Sequence, residues 1–268
     1  MRIDAGRFVV RLAETEEDVA AAQRLRYRVF VEEMGAKPRP EDEALRRERD
    51  DFDEHFDHLL LIDSEAEPED PLDGVAGVYR LLRGAVAREK GCGFYGDSEY
   101  DLSKIKTYPR EVVELGRSCV GVDYRGGAAM HLLWTGLGQY VADHSIEIMF
   151  GVASFHGDDP AALALPLSYL HHNHLAPEDL RVRTREEFFV PMDVIPAEEI
   201  SRAAAMREIP TLIKAYLRLG GFVGEGAYVD HEFNTVDVCL LMDTSRMVDR
   251  YRSFYQRESR GATDRILG

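Results

Sequence analysis

Residues 111–130 read EVVELGRSCVGVDYRGGAAM, an apolar β-branched run that carries Glu114 and Arg117 and ends in a glycine pair opening an apolar helix. This segment constrains the chain more than any other. The run asks to be a buried strand, and Arg125, Gly126 and Gly127 make the turn after it tight. The helix that follows presents unpaired backbone N–H groups and a positive dipole end to an anionic ligand, with phosphate-bearing carriers as the obvious candidates. Burying Glu114 or Arg117 without partners costs several kcal/mol. The two are therefore either a structural salt bridge or a working site.

The pattern around that segment predicts alternating strands and helices. Residues 7–13 alternate apolar and polar and read as a first strand, and Thr15 with Asp18 resembles a capping box that opens a helix through about residue 34. On that helix Arg26 and Phe30 are four apart and hence surface neighbours, so Arg26, set in an apolar stripe, must snorkel or meet a carboxylate. Strands are expected at 58–63, 74–83 (with Arg80 inside), 111–120 and 146–155, and a helix at 128–143 whose Trp134 belongs to the core face. Residues 91–96 read as a glycine-rich loop. Pro210 begins another helix ended by Gly220 and Gly221, two strands follow at 222–230 and 235–242, and a last helix is expected from about 246. Residues 156–206 read as an irregular, partly helical insertion. With no clean linker and no internal repeat, residues 1–268 are expected to form one domain.

Charge and cysteine usage exclude several functions. A net charge of −16 argues against nucleic acid and strong adsorption to anionic lipid, both of which need phosphates neutralised by Lys and Arg. The basic residues are unevenly spread: Arg181, Arg183 and Arg185 alternate, and 246–265 is arginine-rich, so either could dock an acidic partner or be a solvated face. Cys92, Cys119 and Cys239 lie far apart without a CxxC, supporting neither a disulfide framework nor a thiolate metal cluster. His171, His172 and His174 lack helical metal-ligand spacing, and no metal is expected. No run of about 18 apolar residues suggests a membrane span and no signal peptide is evident, so a cytoplasmic protein is expected, free or peripheral to the inner membrane.

This element order, with its glycine turn between fourth strand and helix, resembles the GCN5-related N-acetyltransferase (GNAT) fold. The resemblance implies an α/β (α+β) acyltransferase whose mixed, mostly antiparallel sheet is flanked by helices. In that family the turn wraps the carrier's pyrophosphate. Here it is compressed, which points away from coenzyme A. Tyr216 with Gly220-Gly221-Phe222 resembles the family's late Tyr-x-x-x-Gly-Phe element, whose tyrosine protonates the leaving thiolate. A closer resemblance is to acyl-homoserine-lactone synthases, which take acyl chains from acyl carrier protein (ACP). Their RxxxF matches Arg26 and Phe30, their paired acids match Glu54 and Asp57, their third-strand arginine matches Arg80, and their ExxR matches Glu114 and Arg117. The last third, PTLIKAYLRLGGFVGEGAYVDHEFNTVDVCLL, resembles ornithine-lipid N-acyltransferases. That resemblance covers nearly the whole chain and implies transfer of a 3-hydroxyacyl group from acyl-ACP, with no permanently bound cofactor, to the α-amine of ornithine or a similar amino acid such as glutamine.

Aminolysis of a thioester needs a deprotonated amine, a polarised carbonyl and a route for the proton. Glu114 is the expected general base, its pKa raised by burial and lowered by Arg117. Residues three apart in a strand face opposite sides, so the two share a face only across a bulge, expected at Gly116. A bulge there would free a backbone N–H as an oxyanion contact worth roughly 3 kcal/mol. Glu54 and Asp57 would hold the acceptor's cationic groups. Arg26 and Arg80 would bind its carboxylate or brace the two acids. Arg125, Gly126 and Gly127 would take the phosphopantetheine. Cys119 in an apolar strand is expected to be inert core, which excludes a covalent acyl-enzyme. Two other functions fit the same pattern, a lactone-forming signal synthase and a non-catalytic acyl-carrier-binding module.

Overall fold

The first hairpin, β1 (Arg2–Ala5) with β2 (Phe8–Leu12), starts the sheet from the N-terminal alternation. Thr15 then caps α1 (Glu16–Arg26): its side chain accepts from Asp18 N, while the Asp18 carboxylate accepts from Glu14 N and pairs with Arg11. The single helix expected through residue 34 instead widens at Tyr27 into a π-helical stretch, Tyr27–Glu33, with Met34 N donating to Val29 O. In the wider helix residues four apart no longer stack directly, so Arg26 turns fully inward while Phe30 is half-buried against Phe233. The computed structural model describes residues 1–245; the helix expected from about 246 and the arginine-rich stretch 246–265 lie outside them.

The chain continues through α2 (Pro40–Leu45), β3 (Asp57–Asp63), β4 (Val75–Arg83) and α3 (Gly84–Lys90). Then come β5 (Tyr100–Asp101), α4 (Ser103–Lys106), β6 (Val112–Val120), α5 (Ala129–Asp143) and β7 (Ile148–His156). The region 156–206 holds α6 (Ala164–His174), β8 (Arg183–Thr184) and α7 (Arg202–Glu208), and the described chain closes with α8 (Thr211–Arg218), β9 (Phe222–Val223), β10 (Tyr228–Asp230) and β11 (Thr235–Asp243). The main sheet runs β1-β2-β3-β4-β6-β7-β11-β10, with β9 also on β11. It is mixed and mostly antiparallel, β6 and β7 forming its parallel pair. Buried Leu133, Leu137 and Tyr140 of α5 pack with Val10, Leu59 and Leu61 in the core. A second cluster is built on Phe94, Tyr100, Phe150 and Val182. Where the sequence predicts one strand over 222–230, Glu225 N and Ala227 N leave the sheet to bond Val182 O and Val190 O. That exchange ties residues 182–190 to the body.

Two local departures from regular sheet make the site. The β6–β7 ladder covers only Val112–Leu115 against Ile148–Gly151; beyond it the strands part, leaving their facing backbone edges outside the ladder. At the last pair Gly151 is required, because a Cβ there would sit 2.2 Å from Leu115 O. The second departure lies on the other side of β6. Val78 pairs with Cys119 and Arg80 with Gly116, so Arg117 and Ser118 together oppose Tyr79. This is a β-bulge, one residue later than the Gly116 position expected, and Arg117 itself takes the left-handed conformation at φ 50°.

Candidate active site

The bulge turns Arg117 into the space where β6 and β7 diverge. It does not pair with Glu114. Its Nε donates to Glu48 Oε1 (3.1 Å), its Nη2 to Asp50 Oδ2 (3.2 Å) and Tyr95 Oη (3.3 Å), and it lies over the Tyr95 and Phe233 rings. Arg26, wholly buried, bonds the Glu48 carboxylate and Glu48 O and forks onto Asp53 at 2.6 and 3.2 Å. Arg80, also wholly buried, donates through Nη1 to Asp50 (2.6 Å) and Asp53 (2.8 Å) under the Phe56 ring. Three arginines thus meet three carboxylates of the loop before β3, and their cations hold Glu48 down at about 2 and keep Asp53 below the ordinary carboxylate range despite burial. Arg80 Nε and Nη2 are buried without a hydrogen-bond partner, and the edge they form lies beside Gly116.

The acids that meet the arginines are not those expected. Glu54 is exposed, reaching only the His55 ring, and Asp57 accepts from Tyr140 Oη (2.6 Å) beside Arg83. Asp50 and Asp53 share the spacing of that pair and lie four residues earlier. Three buried arginines in apolar elements demand three carboxylates, and that demand was readable in the acid-rich stretch 48–57; its register was not.

Glu114, 2% exposed, lines a cavity of about 370 Å³ together with Phe30, Arg80, Tyr95, Glu99, Arg117 and Asp237. Its oxygens accept from Tyr95 N (2.8 Å) and Gly96 N (2.7 Å), the first N–H groups of a single 3₁₀ turn, Tyr95–Ser98. Gly96 gives this approach its room, since a Cβ would stand 3.1 Å from Glu114 Oε1 and the carboxylate would have to give by a few tenths of an ångström. Burial outweighs those two hydrogen bonds and the Arg80 cation, pushing Glu114 up to about 7. A carboxylate there takes up a proton near neutral pH. The same cavity holds two acids that sequence reasoning missed, Glu99 (5% exposed, pushed up to about 8) and Asp237 (3%, pushed up to about 6), both raised first by burial and then by neighbouring acids. An acid isolated in an apolar strand, as in TVDVCLL, was the available signal for Asp237.

Where the strands part, a second recess runs from Gly116, Arg117 and Ser118 past Gly151 and Val152 to Leu212, Met242 and Tyr216. Tyr216 is buried, tilted on Trp134 with centroids 4.9 Å apart, and its hydroxyl meets Tyr79 Oη at 2.9 Å. Tyr79, opposite the bulge, is a residue that sequence reasoning passed over. Cys119 borders the cavity, but burial pushes its thiol up to about 12, leaving negligible thiolate at neutral pH.

The remaining expected residues are placed differently. Arg125 flanks the cavity, yet its guanidinium is committed to Glu33 and to Val120 O (3.0 Å). Gly126 and Gly127 form the turn into α5, whose N-terminus has no side-chain cap and no acid in its first turn. Arg181 and Arg185 donate to Ala176 O and Asp97 O, and Arg183 pairs with Glu186, so the three do not form one open basic face. Among the described residues no three His, Cys, Asp or Glu side chains are grouped to hold a metal, and no helix is long and apolar enough to cross a membrane.

Residues 25–135 match the family model described as Acetyltransferase (GNAT) domain. The chain is 55% identical over 254 residues to an L-ornithine N(alpha)-acyltransferase of Rhodobacter capsulatus, covering 95% of this chain and 96% of that one. It is 44% identical to the enzyme of that name from Brucella abortus, covering 95% and 90%. Among solved structures, the fold is similar to that of FeeM, an N-acyl amino acid synthase from uncultured soil microbes, with a TM-score of 0.54 at 12% identity over 91% of this chain and 94% of that one.

Proposed function

The chain belongs to the L-ornithine N(alpha)-acyltransferase family, and from that premise we propose that it moves a fatty acyl group from the phosphopantetheine thioester of acyl carrier protein to the α-amine of ornithine. The observation that carries this reading is a buried Glu114 with a near-neutral pKa lining a cavity that opens where β6 and β7 part. The thioester carbonyl lies in that parting, within reach of backbone N–H groups at the bulge, which stabilise the oxyanion by roughly 3 kcal/mol. The amine nitrogen attacks the carbonyl carbon, the C–N bond forms as the C–S bond breaks, and the nitrogen's surplus proton passes to Glu114. Tyr216 supplies the thiolate's proton, with Tyr79 hydrogen-bonded behind it. The unpaired edge of Arg80 takes the acceptor's carboxylate. The turn at Gly126 and Gly127, with the uncapped start of α5, takes the carrier's phosphate.

The product is an N-acyl amino acid, the first intermediate of an ornithine-type lipid, made at the cytoplasmic side of the membrane. The test is an acyl transfer assay read by mass spectrometry, with acyl-ACP or acyl-coenzyme A as donor and ornithine, glutamine or S-adenosylmethionine as acceptor. N-acylornithine formed faster from acyl-ACP is expected. Acylation of S-adenosylmethionine alone would make the enzyme a signal synthase, and no transfer to any acceptor would leave a carrier-binding module.

A further inference from the structure

Glu99 and Asp237, on one wall of the cavity, make no ion pair with any cation among the described residues. Glu99 Oε2 is buried without a hydrogen-bond partner, the Asp237 carboxyl meets only the hydroxyls of Ser154 and Thr235 and leaves Oδ1 without a well-formed bond, and the Tyr100 hydroxyl is buried and unpartnered as well. Asp237 lies on β11, flanked in the sheet by Tyr228 on β10 and Ser154 on β7. Asp230, at the end of β10, borders the same cavity and accepts from the backbone N–H groups of Glu232 and Phe233 through one oxygen. Arg117, whose charge acts on both acids, makes its hydrogen bonds to Glu48 and Asp50 instead. Leaving buried acceptors unsatisfied costs roughly 1–3 kcal/mol each, so a fold that keeps several at one wall of its cavity is shaped for something that arrives. Each of these oxygens accepts hydrogen bonds, and an ammonium is a compact donor of three.

We propose that Glu99, Asp237 and Asp230 form a subsite for the side-chain ammonium of the acceptor and thereby select a diamino acid over a neutral one. This rests on the reading of the cavity as the acceptor site. The turn that fixes Glu114 at its first N–H groups ends on Glu99, whose N–H bonds Gly96 O (3.1 Å), so base and subsite are one 3₁₀ turn apart on a single short segment. An amino acid with its α-amine at Glu114 and its carboxylate at Arg80 therefore extends its side chain towards Glu99 and Asp237. A cation arriving there also offsets the burial, and the smaller repulsion between neighbouring acids, that raise the Glu99 and Asp237 carboxyls.

The experiment compares kcat/KM for ornithine and for norvaline, which has the same carbon chain without the terminal amine, in the wild type, E99Q, D237N and the double variant. Taking the ratio within one preparation cancels differences in active fraction. The wild type is expected to favour ornithine strongly, and the double variant to lower that ratio by about 30-fold or more, the usual scale for removing one partner of a buried charge pair. For any variant too slow to assay, calorimetric binding of ornithine and norvaline to the intact protein reads the same difference. Ornithine acylation with an unchanged ratio or unchanged binding preference in the variants overturns the subsite alone. Failure of the wild type to acylate ornithine at all overturns the acceptor-site reading and the subsite with it.

Discussion

Two sets of buried or partly buried carboxylates lie around Arg80 and Arg117, and they behave in opposite ways. Glu48, Asp50 and Asp53 each touch an arginine, and their carboxyls are stabilised as anions wherever a shift is resolved. Glu99, Glu114 and Asp237 are buried, touch no cation, and are pushed towards the neutral form. Burial alone would raise every one of them. What separates the sets is where the guanidinium groups point. The first set is scaffold, in which each charge is matched by another of the fold, and the second is left for a ligand to complete.

The comparison breaks most severely if the matched set loses a cation. Arg26→Met leaves Glu48 and Asp53 buried with less compensation and should cost about 3–5 kcal/mol of stability in denaturant unfolding. A loss below about 1 kcal/mol would mean that the network relaxes into solvent. On the unmatched side Glu114→Gln, whose amide nitrogen faces one of the two N–H donors, should cost about 1–3 kcal/mol of stability while lowering kcat by about 10²–10⁴-fold. The wild-type kcat/KM should fall about tenfold per pH unit on the acid side of a pKa near 7, because only the ionised carboxylate accepts the proton; a limb that survives in Glu114→Gln would assign the titration elsewhere.

The sets also pull stability in opposite directions with pH. Glu48 titrates near 2 in the fold and at its ordinary value when unfolded, so its contribution is present above about 4.5 and is lost as pH falls towards 2. Glu99 holds its proton in the fold up to about 8, so the folded state binds the extra proton between about 4.5 and 8 and stability declines as pH rises across that window. The decline approaches 1.4 kcal/mol per pH unit for a group that is fully protonated in the fold and ionised when unfolded. Glu99→Gln should flatten it, as read from melting temperatures at pH 5 and pH 8. The smallest effect is expected at Glu54, where replacement by Gln should stay within about 0.5 kcal/mol and leave turnover unchanged, since its carboxylate faces solvent.

Much of the frame was legible because it is written in local pattern. The capped start of α1, the strands around Arg80 and Glu114, and the turn into α5 follow from alternation, capping and glycine placement. What stayed hidden depends on a single-residue register. The bulge falls at Arg117 because a left-handed residue there turns the guanidinium towards Glu48 and Asp50, and nothing in LGRSCV distinguishes it from Gly116. The same holds for Asp50 and Asp53 against Glu54 and Asp57, four residues of loop apart with identical spacing. Glu99 and Asp237 come from segments 138 residues apart in the chain and converge only through the sheet order β6-β7-β11. The π-helical turn after Arg26 has no signature in this sequence that the pattern of apolar positions exposes.

Arg117 carries an evolutionary consequence. Its φ of 50° is one that a glycine or an asparagine adopts readily and that costs an ordinary side chain roughly 1–2 kcal/mol. The residues that would relax the backbone lack the guanidinium that Glu48 and Asp50 require. Drift at this position is therefore blocked from both sides: a conformationally easy replacement leaves Glu48 with Arg26 alone and Asp50 with Arg80 alone, and a lysine keeps the charge but loses the fork that meets both. Such a position changes only together with the loop before β3, so divergence within the family should run through coordinated exchanges of 117 with 48 and 50.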